Sequence, residues 1–349
     1  MILLGRDYIL IKLAIVGIGG VGRAFLKLLN DKKISLKKEG LEFIVTFIMN
    51  SKGGVFNKDG IDIDDYLKLS KHCIDIDDYY EKMDFNEMLQ RKNIDFLIEI
   101  TPTNKETGEP GLTYIRKALE HGINVVTSNK GPILLAYKTL RQIARDNGVQ
   151  LGIGCTTGGA LPAINGGIID LAGSDILSIE GVLNGTTNYI INEMEKKDIT
   201  YEQALLKAQK AGIAETDSYL DVEGWDTAIK LLILTNVLLG SDKTLDDVSI
   251  KGITHITSKD IQNALSKGMK YKLIGKALKE NNDITIDVGL KRIGKDDPFF
   301  FVDGKNKAVR YQSDTLGDLV IMGGQSDVVA AAASILRDIV NVKRGYRFI

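Results

Sequence analysis

A chain of 349 residues, 44% hydrophobic and 26% charged, has ordinary soluble globular composition and length for about two domains, each with its own core. Its 45 basic and 46 acidic residues nearly cancel, which excludes the basic excess expected of a nucleic-acid or membrane-surface protein. Two cysteines (Cys73, Cys155) and three histidines (His72, His121, His255) are too few and too scattered for a disulfide framework or a zinc site. A reducing cytoplasm is therefore the expected setting, and no metal is expected.

The N-terminus has no basic lead and no cleavage signature, so it does not read as a signal peptide. The longest uncharged apolar stretch, 231–240, is about half of what a bilayer requires. Residues 11–16 read as a buried parallel strand, followed by the glycine run Gly17-Ile18-Gly19-Gly20-Val21-Gly22 and by helical periodicity over 23–30. A second strand is expected at 43–49. Residues 50–92 are more polar and hold Ile-Asp-Ile-Asp-Asp-Tyr twice, at 61–66 and 74–79, which reads as two aspartate-rich helix starts. Further strands at 95–100, 124–127 and 150–153 alternate with helices at 112–120 and 134–146. That alternation predicts a Rossmann-type, doubly wound parallel sheet over 1–153, completed by about 318–349.

The glycine- and threonine-rich run at 152–167 opens a second region, 154–317, of α+β character. Helices are expected at 162–171, 187–196, 201–211 and 225–239, then strands at 271–277 and 284–290. The 201–211 helix has a capping-box start at Thr200 and Gln203 and a stop at Gly212. A last helix is expected at 328–342.

Four segments carry chemistry. In Gly17-x-Gly19-x-x-Gly22, set between strand and helix, the first glycine permits a tight turn and the second lets a pyrophosphate approach the backbone. The third lets helix pack on strand, so Gly17, Gly19, Gly20, Val21 and Gly22 are expected to cradle a dinucleotide. The second strand ends Met49-Asn50-Ser51-Lys52, without the acid that would bind the ribose hydroxyls of NAD. This favours NADP, with Lys52 as the 2′-phosphate contact, Lys58 in reserve, Asn50 and Ser51 near the ribose, and NAD still possible. A solvated loop lysine is the plainer reading of Lys52.

Thr127-Ser128-Asn129-Lys130-Gly131-Pro132 closes a buried strand at the sheet's carboxyl edge, where a lysine can donate a proton or stabilise an alkoxide. Asn184-Gly185-Thr186-Thr187-Asn188-Tyr189 is a helix start suited to a substrate carboxylate or, equally, to simple capping. Glu215, Asp221 and Asp226 could surround an ammonium group, whereas Asp217 and Glu223 are expected in solvent. Asp226 and Lys230 share a helix face at i and i+4, and the apolar helix around them disfavours a mere surface ion pair.

Taken in order, these segments resemble the homoserine dehydrogenase family: the glycine fingerprint, the strand end at 127–132, the turn at 184–189, and the pattern Ala214-Glu215…Asp221…Gly224-x-Asp226-x-x-x-Lys230. The resemblance covers roughly 10–342. It implies a Rossmann domain with a second α+β substrate-binding and dimerisation domain, a small-molecule substrate, and a homodimer. The implied reaction is reversible NAD(P)-dependent reduction of L-aspartate 4-semialdehyde to L-homoserine, on the route to threonine, methionine and isoleucine. By the same resemblance Lys130 and Lys230 manage the proton at the reacting carbonyl, with Lys130 also at the cofactor and Thr101 along it. Glu215, Asp221 and Asp226 would hold the substrate ammonium or its water, and Gly185 and Thr186 would meet the substrate. Gly154 stands where many members place a glutamate that helps form a monovalent-cation site, so no such site is expected. The late glycine turn appears as Gly323-Gly324-Gln325-Ser326-Asp327, and the chain is expected to lack the regulatory domain and fused kinase of some relatives. Rival readings are a dehydrogenase for a related amino-acid semialdehyde and a catalytically silent dinucleotide sensor. Cys155, near the expected cleft, reads as a small buried residue rather than a reactive thiol.

Overall fold

The computed structural model describes residues 8–71, 81–91, 93–281 and 283–348; Cys73, His72 and the second acidic echo at 74–79 lie outside them. The chain divides into two units, Met1–Thr156 with Asp327–Ile349, and Thr157–Ser326. Among the described residues no helix is long and apolar enough to cross a membrane.

In the first unit, strand β1 (Ile9–Val16) buries Ile11, Leu13, Ala14, Ile15 and Val16, so both of its faces are covered. Such burial is what a central parallel strand requires. Then come α1 (Gly20–Lys38), β2 (Leu41–Asn50), β3 (Gly53–Phe56), α2 (Ile63–Lys71), β4 (Glu81–Lys82), α3 (Phe85–Gln90) and β5 (Phe96–Glu99). They are followed by α4 (Gly111–Glu120), β6 (Asn124–Thr127), α5 (Lys130–Asp146) and β7 (Leu151–Gly152). The sheet order is β4-β3-β2-β1-β5-β6-β7. Neighbours from β2 through β7 run parallel, while β3 and β4 are antiparallel additions at one edge. β2 turns into β3 through Ser51 and Lys52 alone, with Asn50 opposite Gly53. The chain winds from β1 to β2 on one side and then crosses to β5 on the other. The two loops leaving β1 and β5 thus diverge, and that switch point is where open α/β sheets take ligands.

The C-terminal helix, Val328–Lys343, completes this unit. Ala332, Ile335, Leu336, Ile339 and Val340 join Phe25, Leu26 and Leu29 of α1 in one buried cluster with β1. The return to the first unit falls at Asp327 rather than near 318, because 318–323 is a strand of the other sheet.

A short turn, α6 (Cys155–Gly158), runs across the boundary at Thr156, and the second unit continues with α7 (Ala163–Asn165) and a π-type turn, Gly166–Asp170. A regular helix over 162–171 does not form. A Cβ on Gly166 or Gly167 would meet Ile321 at 2.3 Å and Leu238 at 2.4 Å, so neighbouring side chains fill the space along this turn. The unit continues with β8 (Ile176–Val182), α8 (Gly185–Lys197), α9 (Tyr201–Lys210), α10 (Tyr219–Val222), α11 (Trp225–Leu238) and β9 (Val248–Ile250). It ends with α12 (Ser258–Leu265), β10 (Lys270–Glu280), β11 (Asp283–Ile293), β12 (Lys307–Ser313) and β13 (Asp318–Gly323). The second sheet is ordered β13-β12-β8-β10-β11-β9 and is antiparallel except where β9 joins β11. α11 is apolar around its circumference and accordingly buried: Leu231, Leu232, Ile233 and Leu234 are each at most 1% exposed. Gly275 of β10 admits it closely, since a Cβ there would meet both Leu231 and Thr227 at 3.1 Å.

Candidate active site

The first unit builds a nucleotide cradle from its glycines. Gly17 has φ +103°, and a Cβ there would sit 2.4 Å from the Ile100 carbonyl, so only glycine permits this turn beside β5. A Cβ on Gly22 would come within 2.4 Å of the Gly17 carbonyl, which keeps α1 tight on the turn. Gly19 faces open space, and as N-cap of α1 it offers no side chain to the helix's first N–H groups. Those donors and the positive end of the helix point to where a diphosphate would lie.

The adjoining cavity, about 500 Å³, is lined by Gly17, Gly19, Gly20, Val21, Asn50, Ser51, Thr101, Pro102, Tyr114 and Ser128, among others. A dinucleotide's diphosphate fits this backbone cradle. Gly22 lies buried behind it, and Lys52 does not line the cavity. Lys52 sits exposed on the hairpin turn, its amide donating to Asn50 Oδ1 at 2.7 Å. Lys58 is exposed beyond it. Lys130 is the first residue of α5, whose N-cap Asn129 accepts from the Gly131 amide at 3.1 Å.

Pro102, Tyr114 and Ser128 were not singled out by sequence reasoning, although Ser128 falls inside the 127–132 motif. Nor was Glu99, a glutamate 0% exposed at the end of β5. Its signal was an acid closing an otherwise apolar strand, Phe96-Leu97-Ile98-Glu99.

The second unit gathers another set. Asn184 caps α8 by accepting the Thr187 amide at 2.9 Å. Its Nδ2 donates to Asp221 Oδ1 at 2.7 Å and to Asp226 Oδ2 at 2.8 Å, tying two acids to one helix start. Gly224, at φ +86°, begins α11 and sets Asp226 in its first turn. One turn on, Lys230 Nζ lies 2.6 Å from Asp226 Oδ2 and donates to the Leu183 carbonyl at 3.0 Å. Burial, and then the charge of Asp226, push the Asp221 carboxyl above its ordinary range. Gly185 adjoins the 305 carbonyl, which a Cβ would approach to 2.8 Å, and Thr186 Oγ1 donates to the Ile213 carbonyl at 3.1 Å.

Asp221, Asp226, Lys230 and the α8 start are thus brought together. Glu215 is not among them: it is exposed, with its backbone carbonyl accepting from Gln209. Asp217 is exposed and accepts the Tyr219 amide. Gly154 donates its amide to buried Asp338 at 2.8 Å. Among the described residues no cluster of three His, Cys, Asp or Glu could hold a metal.

A glycine cradle at the switch point of a parallel sheet, with an ammonium fixed by a carboxylate elsewhere in the chain, defines a nicotinamide-dinucleotide oxidoreductase. Comparison with known proteins narrows this. The family model for homoserine dehydrogenase matches residues 162–340, and that for the homoserine dehydrogenase NAD-binding domain matches 17–153. The homoserine dehydrogenase of Methanocaldococcus jannaschii is 38% identical over 94% of this chain and 97% of its own length. An NAD(+)-dependent homoserine dehydrogenase from Pseudomonas canavaninivorans is 34% identical over 95% of this chain and 96% of its own. A crystal structure from Archaeoglobus fulgidus, 33% identical, superposes with a TM-score of 0.85, covering 95% of this chain and 99% of that one. The chain belongs to the homoserine dehydrogenase family.

Proposed function

We propose that the chain interconverts L-aspartate 4-semialdehyde and L-homoserine, with NADP as the preferred cofactor. The observation that carries this reading is Lys230, an ammonium held at 2.6 Å by Asp226 and at 3.0 Å by a backbone carbonyl. A nicotinamide dinucleotide supplies and recovers hydride when bound. Oxygen left with charge on the substrate needs a positioned donor, and Lys230 gives it a proton without having to reorganise. Asp221 and Asp226 hold the substrate ammonium. Two carboxylates on one asparagine repel each other, so a cation arriving beside them relieves that repulsion as it binds. Gly185 and Thr186, at the start of α8, meet the substrate carboxylate. Lys130, at the start of α5, serves as the second ammonium for cofactor and carbonyl. Glu215 keeps its substrate role on resemblance alone.

The NADP preference rests on the lack of an acid at 50–52 and on Lys52 at the hairpin tip. The relative from Pseudomonas canavaninivorans, named for NAD(+), makes NAD the alternative. In the same reading the enzyme is a cytoplasmic homodimer of threonine, methionine and isoleucine biosynthesis, with the second unit as its substrate and dimerisation domain. The dimer rests on the family resemblance. The test is loss of NADPH absorbance on adding L-aspartate 4-semialdehyde, with NADH in parallel. Faster turnover with NADPH is expected. Cofactor binding without oxidation of either would end the substrate assignment, and a preference for NADH would end that for Lys52.

A further inference from the structure

Glu99 has no part in the reaction described above, yet its carboxylate is held on every side. Its carboxylate is 0% exposed and receives four hydrogen bonds, all from donors. Oε1 accepts from the Thr101 amide at 2.8 Å, from the Thr101 hydroxyl, and from Asn129 Nδ2 at 3.4 Å. Oε2 accepts from the Thr127 hydroxyl at 2.7 Å. The Thr127 hydroxyl in turn accepts the Asn129 amide at 2.9 Å, and Asn129 Nδ2 also reaches Thr101 Oγ1 at 3.2 Å. Room for this is kept by Gly111, the first residue of α4, whose Cβ would lie 2.5 Å from Asn129 Nδ2 and 2.9 Å from Glu99 Oε1.

Each group so held leads to a working part. Thr101 lines the cofactor cavity, and Asn129 is the side-chain cap from which Lys130 and α5 start. Burial pushes the Glu99 carboxyl above its ordinary range, and the hydrogen bonds from Thr101, Thr127 and Asn129 act against that shift, so these four donors offset part of the cost of burying the acid. Fixing an acid this way rigidifies the donors as much as the acid.

We propose that Glu99 is a positioning residue: its carboxylate sets Thr101 on the wall of the cofactor cavity and, through Asn129, the place from which Lys130 acts. This deepens the dehydrogenase reading and rests on it. Misplacing a reacting group by about 1 Å can cost on the order of a hundredfold in rate, so a partial loss of register predicts a sizeable effect.

The test is Glu99→Gln, which keeps shape and removes the charge and one acceptor, alongside the milder Thr127→Val, which removes one donor and keeps the strand. Folding is followed by circular dichroism, NADPH affinity by its fluorescence without substrate, and kcat with the semialdehyde at a temperature well below unfolding. For folded Glu99→Gln, a kcat about tenfold lower together with a several-fold higher NADPH Kd is expected, and smaller shifts of the same sign for Thr127→Val. Wild-type kcat and Kd in the folded fraction, with or without a lower Tm, would overturn the proposal, as would a change in only one of the two. Should Glu99→Gln not fold, Thr127→Val decides by the same rule. Should the wild type bind NADPH but turn over no semialdehyde, the substrate reading fails by itself and the NADPH Kd alone decides on Glu99.

Discussion

Asp221 and Lys230 carry opposite burdens. Lys230 is set by Asp226 and the Leu183 carbonyl before any substrate arrives, so its contribution belongs to the transition state rather than to cofactor binding. Lys230→Ala should lower kcat by about 10²–10³, as loss of one positioned donor does elsewhere, with the NADPH Kd unchanged by fluorescence titration. Asp221 is held at a cost. Its carboxyl, raised by burial and by Asp226, binds its proton more tightly in the folded chain than in the unfolded one. Stability from this group is therefore full below the ordinary aspartate value of about 3.9 and is lost as pH rises through the raised value. Neutral pH lies on the costly side. Asp221→Asn, whose amide oxygen can still accept from Asn184, should raise the Tm by about 2–4 °C at neutral pH while lowering activity. In calorimetry the gain should shrink as the pH falls below the ordinary aspartate range.

Among the elements, the turn from β1 into α1 tolerates little change. Gly22→Ala would drive a methyl to 2.4 Å from the Gly17 carbonyl and lift the start of α1 from the cradle. A loss of about 1–3 kcal/mol in denaturant titration is expected, with weakened NADPH binding at temperatures where the variant stays folded. This element was legible in the sequence because β1 is apolar but for Lys12 and the glycine run follows it at a strand–helix junction. α11 was legible too, running from Trp225 to Leu238 against an expectation of 225–239, because its apolar length and Gly224 mark both core and start. The edge strands β3 and β4 were not. They are short: β3 pairs with β2 through the two-residue turn at Ser51 and Lys52, and the two residues of β4 find β3 only from some 25 positions further along the chain. β8, β12 and β13 were missed because mixed polar and apolar residues suit a sheet only once their neighbours are known. Glu180 of β8 is such a case. Burial alone would raise it, but Lys276 at 2.7 Å and Arg310, directly opposite on β10 and β12, pull it below the usual carboxylate range. Local motifs likewise led to Asp221, Asp226 and Lys230, whereas Glu99 has no partner nearer in sequence than Thr101 and needed the sheet to bring Thr127 and Asn129 to it.

At the scale of the whole molecule, the first unit is made of two stretches that are distant in the chain. Its core needs the last helix: Ala332, Ile335, Leu336 and Ile339 close over Phe25, Leu26 and Leu29. A chain cut before Asp327 should leave that apolar face of α1 open, lose cooperative unfolding of the nucleotide unit and bind no NADPH, as calorimetry and fluorescence would show. Retention of normal NADPH affinity by the shortened chain would count against this. The same arrangement sets a schedule on the ribosome. The sheet and α1 emerge early, but the helix that seals them is translated only after the entire second unit, roughly 10–30 s later at ordinary elongation rates. For that interval the nascent chain carries an open apolar groove, which makes the first unit a client for whatever shields hydrophobic surface at the exit tunnel. Its completion comes only after the whole second unit has been made, however early its own strands were made.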